Sequence, residues 1–419
     1  MPALADPQRV AARLLASGGR SELEQAARAV AGVVRTTPVL SLDALSATLG
    51  ARVAVKAECL QRTGSFKLRG AVAKITALGD EARHGVVAAS AGNHAQGVAL
   101  AATAAGVPAQ IFMPRHAPMA KVEAVRRLGG DVELHGETFD DALERALAAA
   151  EDGRTFVHPF DDPVVVAGQG TVGLELRQQV PDLSCVIVPV GGGGLAAGIG
   201  LALRQASRRV RLIGVQAAAF PNMAGALFPD RSAVPAAESE RTLADGIAVR
   251  APGRLSRQLL SSLLDDIVVV TDEEIGEAMA FLADEAKLIS EGAGAVGMAA
   301  LLAGRVQPPT DGQTVVVVSG GNVDRAELLR VVRRADALAG RRLALVTRVA
   351  DRPGGLARLV NLLAELEVNV VDVQHLWDRR DLLLRESAIQ LLIEVRNADH
   401  ATTVVDALVA RSYVVQILE

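Results

Sequence analysis

Between residues 52 and 319, short runs rich in Val and Ile alternate with longer stretches of helical periodicity. This rhythm limits the possible folds more than any other feature of the chain. The short runs read as strands at 52–57, 85–89, 109–113, 131–135, 184–190, 210–216, 267–271 and 314–319. Helical patterns lie between them, among others at 94–105, 119–128, 138–151, 164–179 and 272–287. Strands apolar throughout must be covered on both faces, so the alternation predicts an α/β fold with a mainly parallel sheet and helices on both sides. Residues 220–265 interrupt the rhythm with Pro, Ser and charges among short apolar pieces, and no strand is expected there. The first twenty residues read as a loosely held arm. Ser21-Glu22-Leu23-Glu24 then reads as a capping box, opening an Ala-rich helix to about Val34 that ends before Pro38.

A second pattern starts at Leu343, after a basic stretch at 333–342 (RRADALAGRR) that reads as a linker. Its order is strand 343–349, a turn at Asp351, helix 356–366, strand 369–377, strand 386–396, helix 399–410 and strand 412–418. Ile389, Leu391, Ile393 and Val395 alternate with Gln390 and Glu394, which marks a strand with one buried face. The βαββαβ order is that of a ferredoxin-like unit. Its small open sheet is expected to need a partner.

At roughly 150 residues per domain, 419 residues imply two or three domains. Half the residues are apolar, yet no stretch of about 20 is free of charges or turn formers, so no membrane-spanning helix is expected. The segment MPALADPQRVAARLL lacks an apolar signal core, and a cytoplasmic protein is expected. A net charge of −4 with mixed signs and only 2% aromatic residues argue against a nucleic-acid surface. The two cysteines, Cys59 and Cys185, read as reduced thiols, and no histidine has metal-ligand spacing to either.

Three strand ends carry Gly or Asn clusters: Ser90-Ala91-Gly92-Asn93, Gly191–Gly194 and Ser319-Gly320-Gly321-Asn322. Ligands of open α/β sheets bind beyond the carboxyl ends of strands, so three such clusters point to one site. A lone lysine usually lies on a solvated face. Lys67, however, follows Thr63-Gly64-Ser65-Phe66 directly at a helix start, where the dipole disfavours its charge and favours the neutral amine a Schiff-base nucleophile needs. Asn93 reads as a helix N-cap, with neighbouring N–H groups placed for an anion such as a carboxylate. Four consecutive glycines after the strand SCVIVPV let backbone N–H groups approach a phosphate closely. No GxxxxGK[ST] occurs. Gly192-x-Gly194-x-x-Ala197 fits a loose dinucleotide fingerprint, but the next strand ends at Val215-Gln216 without the acid a ribose needs. Ser319 offers a hydroxyl to a ring nitrogen without forcing its protonation. Glu291 reads either as a helix N-terminal charge or as an acid standing behind the ligand-touching groups.

An amine, a ring-hydroxyl donor, a phosphate cradle and a ring-nitrogen partner together match what pyridoxal 5'-phosphate needs. The motifs SFKLRGA, ASAGNHAQG, PVGGGGLAAG and SGGN, in that order, resemble the fold-type II pyridoxal-phosphate family from about residue 20 to 335. Within it they look most like the threonine dehydratases (threonine ammonia-lyases). The resemblance implies two open twisted α/β sheets with the site between them over residues 1–332, a small subdomain at about 55–160 being inserted in the larger one. It implies that Lys67 holds the cofactor, with Phe66 beside it, Asn93 on the ring hydroxyl and Ser319 on the ring nitrogen. Gly191, Gly192, Gly193, Gly194 and Leu195 would hold the phosphate, and Ser90, Ala91, Gly92, Asn93 and His94 the substrate carboxylate. Residues 343–419 resemble a single ACT domain, with Asp351, Arg352, Pro353, Gly354, Gly355 and Leu356 as its ligand-side turn. Isoleucine or valine is then the expected effector, the alternative being a purely oligomeric interface.

Serine racemases of the family carry a second serine where this chain has Ala91, so elimination is favoured over racemisation. β-Replacement relatives such as cysteine synthase differ around the lysine and at His94-Ala95-Gln96. Metal-binding members carry an acid where this chain has Gln216, so no structural divalent ion is expected at that place. The implied reaction takes L-threonine to 2-oxobutanoate and ammonia, with side activity on L-serine, as the first step of isoleucine biosynthesis in a cytoplasmic homodimer or homotetramer. The readings kept beside it are a catabolic threonine/serine dehydratase, a serine-racemase-like enzyme, a nicotinamide-dependent oxidoreductase and a non-catalytic amino-acid sensor.

Overall fold

The apolar runs form strands with no face left for water. Leu183–Pro189 and Val86–Ala89 are buried at every position, and Arg52–Ala57 and Gln313–Val318 at all but the first. The computed structural model describes residues 6–231, 241–377 and 382–418. The chain divides into two units, Met1–Val323 and Asp324–Glu419.

The first unit holds two sheets. The larger has the order Val39–Ser41, Arg52–Ala57, Gln313–Val318, Leu183–Pro189, Arg211–Ala217, Asp266–Val270. Its first pair is antiparallel and the rest are parallel. The smaller is parallel throughout, in the order Asp131–Leu134, Ala109–Met113, Val86–Ala89, Thr155–Phe156. In the larger sheet the last strand of the unit, Gln313–Val318, lies between Arg52–Ala57 and Leu183–Pro189, parallel to both. Segments distant in sequence therefore leave the same sheet edge side by side.

Helix Pro163–Gln179 carries two further helices against its back. A Cβ at Gly168 would lie 2.6 Å from Gly70 Cα, and one at Gly198 would lie 2.3 Å from the Val166 carbonyl. Only glycine permits these approaches, which bring helix Lys67–Leu78 and helix Gly194–Leu203 to a common support. A buried ion cluster reinforces the first of them. Arg69 donates to both oxygens of Glu58 (2.8 Å each) and to Glu175 (2.6 and 3.0 Å). Lys56 Nζ donates to the Thr37 carbonyl (2.7 Å), Glu175 (2.5 Å) and Gln179 (2.9 Å).

Several local expectations are corrected. Of the expected arm, residues 1–5 lie outside the described residues. Pro7–Ser17 is a helix capped by Asp6, and its Leu14 is buried in the main core. The capping box at Ser21 does not form: helix Arg20–Val30 starts after Gly19 without a side-chain cap, and the Ser21 hydroxyl accepts from Gln25. Strands Val39–Ser41 and Thr155–Phe156 were not anticipated, being too short to show a period. Residues 55–57 belong to the larger sheet, so the smaller subdomain begins after them. Within 220–265, helices Asn222–Leu227 and Arg254–Leu263 form, while 232–240 lie outside the described residues. The stretch at 333–342 is no extended linker: helix Arg325–Leu338 runs into it and a turn at Gly340 (φ +65°) closes it.

The second unit is an antiparallel sheet in the order Asn369–Leu376, Glu386–Glu394, Arg342–Ala350, Val415–Leu418. Helices Gly355–Glu365 and Ala398–Ala410 complete the ferredoxin-like βαββαβ order. Ile389, Leu391 and Ile393 are buried against Leu359, Leu363, Val404 and Leu408 of those helices. Residues 351–354 form an exposed turn before the first helix.

Candidate active site

Strand Arg52–Ala57 ends in a short helical turn, Glu58–Leu60, and the chain then bends at Gly64 (φ +71°) into helix Lys67–Leu78. That bend is paired to the end of strand Gln313–Val318. Phe66 N donates to the Ser319 carbonyl (3.1 Å), and Gly321 N donates to the Gly64 carbonyl (2.9 Å). Lys67 is thereby fixed beside Ser319, more than 250 positions away in sequence. Its Nζ donates to the Pro159 carbonyl (2.9 Å) and lies 5.2 Å from the centre of the Phe66 ring. Burial lowers the Lys67 pKa from 10.5 to about 8, against the opposing pull of Glu291. Desolvation thus dominates where the sequence pointed to the helix dipole.

A cavity of about 760 Å³ opens between the two sheets of this unit. Phe66, Lys67, the 90–94 loop, residues 191–195, Glu291 and Ser319 all line it. The turn at 351–356 belongs to the other unit.

Strand Val86–Ala89 delivers the 90–94 loop, and helix Asn93–Ala105 starts from it. Asn93 is not the N-cap. Gly92 takes that position, and the Asn93 amide is engaged elsewhere: its Nδ2 donates to Glu291 Oε1 (2.6 Å) and its Oδ1 accepts from Asn322 Nδ2 (2.7 Å). Ser90 Oγ accepts from Gly92 N (3.1 Å), which braces the loop from within. His94 is buried, and its Nε2 lies 2.8 Å from the Val157 carbonyl, so that nitrogen donates. Burial and then the nearby Lys67 push the His94 pKa down to about 3. The ring is neutral and brings no positive charge to the cavity.

Strand Leu183–Pro189 runs into Gly191–Gly193, where Gly193 (φ +97°) turns the chain into helix Gly194–Leu203. A Cβ at Gly192 would lie 2.3 Å from the Phe160 ring, and one at Gly194 would lie 2.8 Å from the Phe160 carbonyl. No side chain fits there, so the loop presents backbone N–H groups and a helix N-terminus, which suit a phosphate. Ser319, nine-tenths and more buried, brings an uncharged hydroxyl to the same cavity. Both ends of the Gln216 amide are engaged: its Nε2 donates to the Val190 carbonyl (3.0 Å) and its Oε1 accepts from Ala224 N (2.8 Å).

Glu291 precedes helix Gly292–Leu302 but makes no side-chain cap. Burial, then the charge of Asp245, pushes its pKa from 4.5 up to about 7, while the Asn93 hydrogen bond opposes the rise. The folded protein therefore holds a proton that the unfolded chain has lost between those two values. The stability this contributes is complete below pH 4.5 and is lost as pH rises through 7. Glu291→Gln should accordingly gain stability over the parent across that window, by up to about 3 kcal/mol. Denaturant midpoints of the unliganded proteins at pH 4.5 and 8 measure it, and a pH-independent difference would contradict the assignment.

Sequence reasoning missed the carbonyl of Pro159, the wall formed by Phe160 and the amide of Asn322. Pro159 and Phe160 follow a two-residue strand that shows no period. Asn322 stood in the SGGN turn in plain view, but its partners lie far away in sequence.

The pyridoxal-phosphate-dependent enzyme family matches residues 30–320 of the chain. An L-threonine ammonia-lyase of Thermotoga maritima is 44% identical over 400 residues, 95% of this chain and 98% of that protein. A second L-threonine ammonia-lyase, of Geobacter sulfurreducens, is 43% identical over 388 residues, 92% of this chain and 96% of that protein. Among solved structures, the processed form of threonine deaminase isoform 2 from Solanum lycopersicum is similar with a TM-score of 0.70 at 37% identity, covering 76% of this chain and 88% of that one.

Proposed function

We propose a reaction from one premise: this chain belongs to the fold-type II pyridoxal-phosphate-dependent enzymes. It is a threonine ammonia-lyase, a carbon–nitrogen lyase that converts L-threonine to 2-oxobutanoate and ammonia. One observation carries the reading: the Lys67 amine, the tetraglycine loop, the Asn93 amide and the Ser319 hydroxyl line a single cavity. The residues fit the cofactor. The loop is packed too closely for any side chain and lines the cavity with backbone alone, and the amine is buried with a lowered pKa.

When bound, pyridoxal phosphate supplies an electron sink that stabilises negative charge on the substrate's α-carbon. Gly191–Gly194 and Leu195 would hold its phosphate, Asn93 would donate to its ring oxygen, and Ser319 would meet its ring nitrogen without protonating it. Lys67 Nζ anchors the cofactor and serves as the base that takes the α-proton. The N–H groups at the start of helix Asn93–Ala105 receive the substrate carboxylate. Neutral His94 packs beneath them. Glu291 stands behind Asn93 and fixes it. Ala91 leaves the second face of the substrate without a hydroxyl, which supports elimination over racemisation. Serine, lacking only the methyl group of threonine, is the expected side substrate and would yield pyruvate.

The C-terminal unit is read as an ACT domain that binds isoleucine or valine at the turn formed by residues 351–356, giving feedback on isoleucine synthesis in a cytoplasmic homo-oligomer. No described helix is long and apolar enough to cross a membrane. Trp377, the only tryptophan, stacks on His375 at 4.2 Å in this unit. The test is 2-oxo-acid formation from threonine and from serine with and without isoleucine, paired with a titration of tryptophan emission. Threonine turnover that isoleucine slows, with a saturable emission change, is the expected result. Absence of 2-oxobutanoate would overturn the activity. Unchanged turnover and emission at millimolar isoleucine and valine would overturn the regulation.

A further inference from the structure

Asn322 has no role in the site as read so far, yet it ties the Thr63 carbonyl to the Asn93 amide. Its Nδ2 donates to the Thr63 carbonyl (2.8 Å) and to Asn93 Oδ1 (2.7 Å). We infer that Asn322 is a positioning residue that sets the direction of the Asn93 amide, so that an N–H and not the oxygen meets the cofactor's ring oxygen. The inference rests on the reading of Asn93 given above.

Hydrogen-bond polarity fixes the direction of both amides. A backbone carbonyl only accepts, so Thr63 fixes which end of Asn322 is the nitrogen. Both hydrogens of that nitrogen are then spent, one on Thr63 and one on Asn93, and the Asn93 atom facing it must be oxygen. The opposite end of the Asn93 amide is therefore the donor. One of its hydrogens goes to Glu291 Oε1 at 2.6 Å, and the other remains for the cavity that Asn93 lines. A reversed Asn93 would set its NH2 against the NH2 of Asn322, losing that hydrogen bond and gaining a repulsion.

Asn322 is itself held in place. A Cβ at Gly64 would sit 2.4 Å from Asn322 Oδ1, so the amide lies directly on that glycine. Gly64 belongs to the bend that carries Lys67, and the Thr63 carbonyl opens it. The amine and the ring-oxygen donor thus take their orientation from one stretch of backbone. A hydrogen bond donated to the ring oxygen favours its ionised form, so the direction of the Asn93 amide should be visible in the cofactor's absorbance.

The experiment compares holoenzymes of the parent, Asn322→Ala, Asn322→Asp, Asn93→Ala and the Asn93→Ala/Asn322→Ala double variant. In both Asn322 variants, absorbance should shift from the band near the visible toward the shorter-wavelength band of the uncharged ring hydroxyl. The kcat for threonine should fall roughly 10- to 100-fold with KM little changed, the usual effect of losing one hydrogen bond to a charged group. The double variant should match Asn93→Ala alone, because the two residues act as a unit. Asn322→Asp keeps the side-chain shape and carries the same readouts if Asn322→Ala does not fold. A parent-like spectrum in a folded Asn322 variant, or additive losses in the double variant, overturns the inference. A parent protein that shows no cofactor band overturns the reading of the cavity instead.

Discussion

Lys67→Ala is expected to reduce threonine turnover by about 10⁴-fold or more and to abolish the near-visible absorbance that pyridoxal phosphate acquires when joined to a lysine. The size follows from two functions meeting in one atom. In the proposed mechanism Nζ is both the anchor of the cofactor and the base for the α-proton, so no partial substitute would remain. Another lysine lining the cavity, Lys121, is ion-paired to Asp245 at 3.3 Å and partly exposed. It is not the desolvated amine that Lys67 is. The fold should survive, because Lys67 Nζ makes one hydrogen bond, to the Pro159 carbonyl, and removing a buried amine relieves its desolvation. Rapid ammonia release by the variant would remove Lys67 from the mechanism.

Arg69→Met should be the most damaging change to stability, at about 3–5 kcal/mol. Arg69 and Glu58 are fully buried. Burial alone would raise the Glu58 pKa, but the guanidinium and then Lys56 outweigh it and hold the carboxylate below its ordinary range. Removing the guanidinium leaves Glu58 with the Thr37 hydroxyl (2.5 Å) and the more distant Lys56 charge in a dry interior. Glu175 loses its bidentate partner in the same step. The melting temperature should drop on the order of 10 °C. Because Arg69 lies two positions beyond Lys67 on the same helix, cofactor affinity should fall with it. A loss below about 1 kcal/mol in denaturant would show that the cluster relaxes around the gap.

Much of this protein was legible from local pattern. The expected strands at 52–57 and 109–113 form with those bounds, and the others shift by one to three residues. The βαββαβ order of the C-terminal unit was readable because its helices and strands each bury one face, and a single buried face imposes a period. Ser90, Gly191 and Ser319 line one cavity because each follows closely on a strand end, and Lys67 joins them through the bend paired to the end of strand Gln313–Val318. The cap at Asn93 was misread for the opposite reason. A capping side chain is local only if nothing else competes for it, and Asn93 was claimed by Glu291 and Asn322, which no short window contains.

The sequence by itself determined which of the longer segments are strand or helix and where the chain bends tightly enough to need glycine. Those properties depend on steric and apolar preferences within about ten residues. Tertiary structure alone decided the strand order that places Gln313–Val318 between Arg52–Ala57 and Leu183–Pro189. Strands apolar on both faces are interchangeable by pattern, and only packing of the whole sheet selects their neighbours. It also decided the acidities at the site. The lowered Lys67 and raised Glu291 pKa values come from desolvation by residues gathered from the length of the first unit.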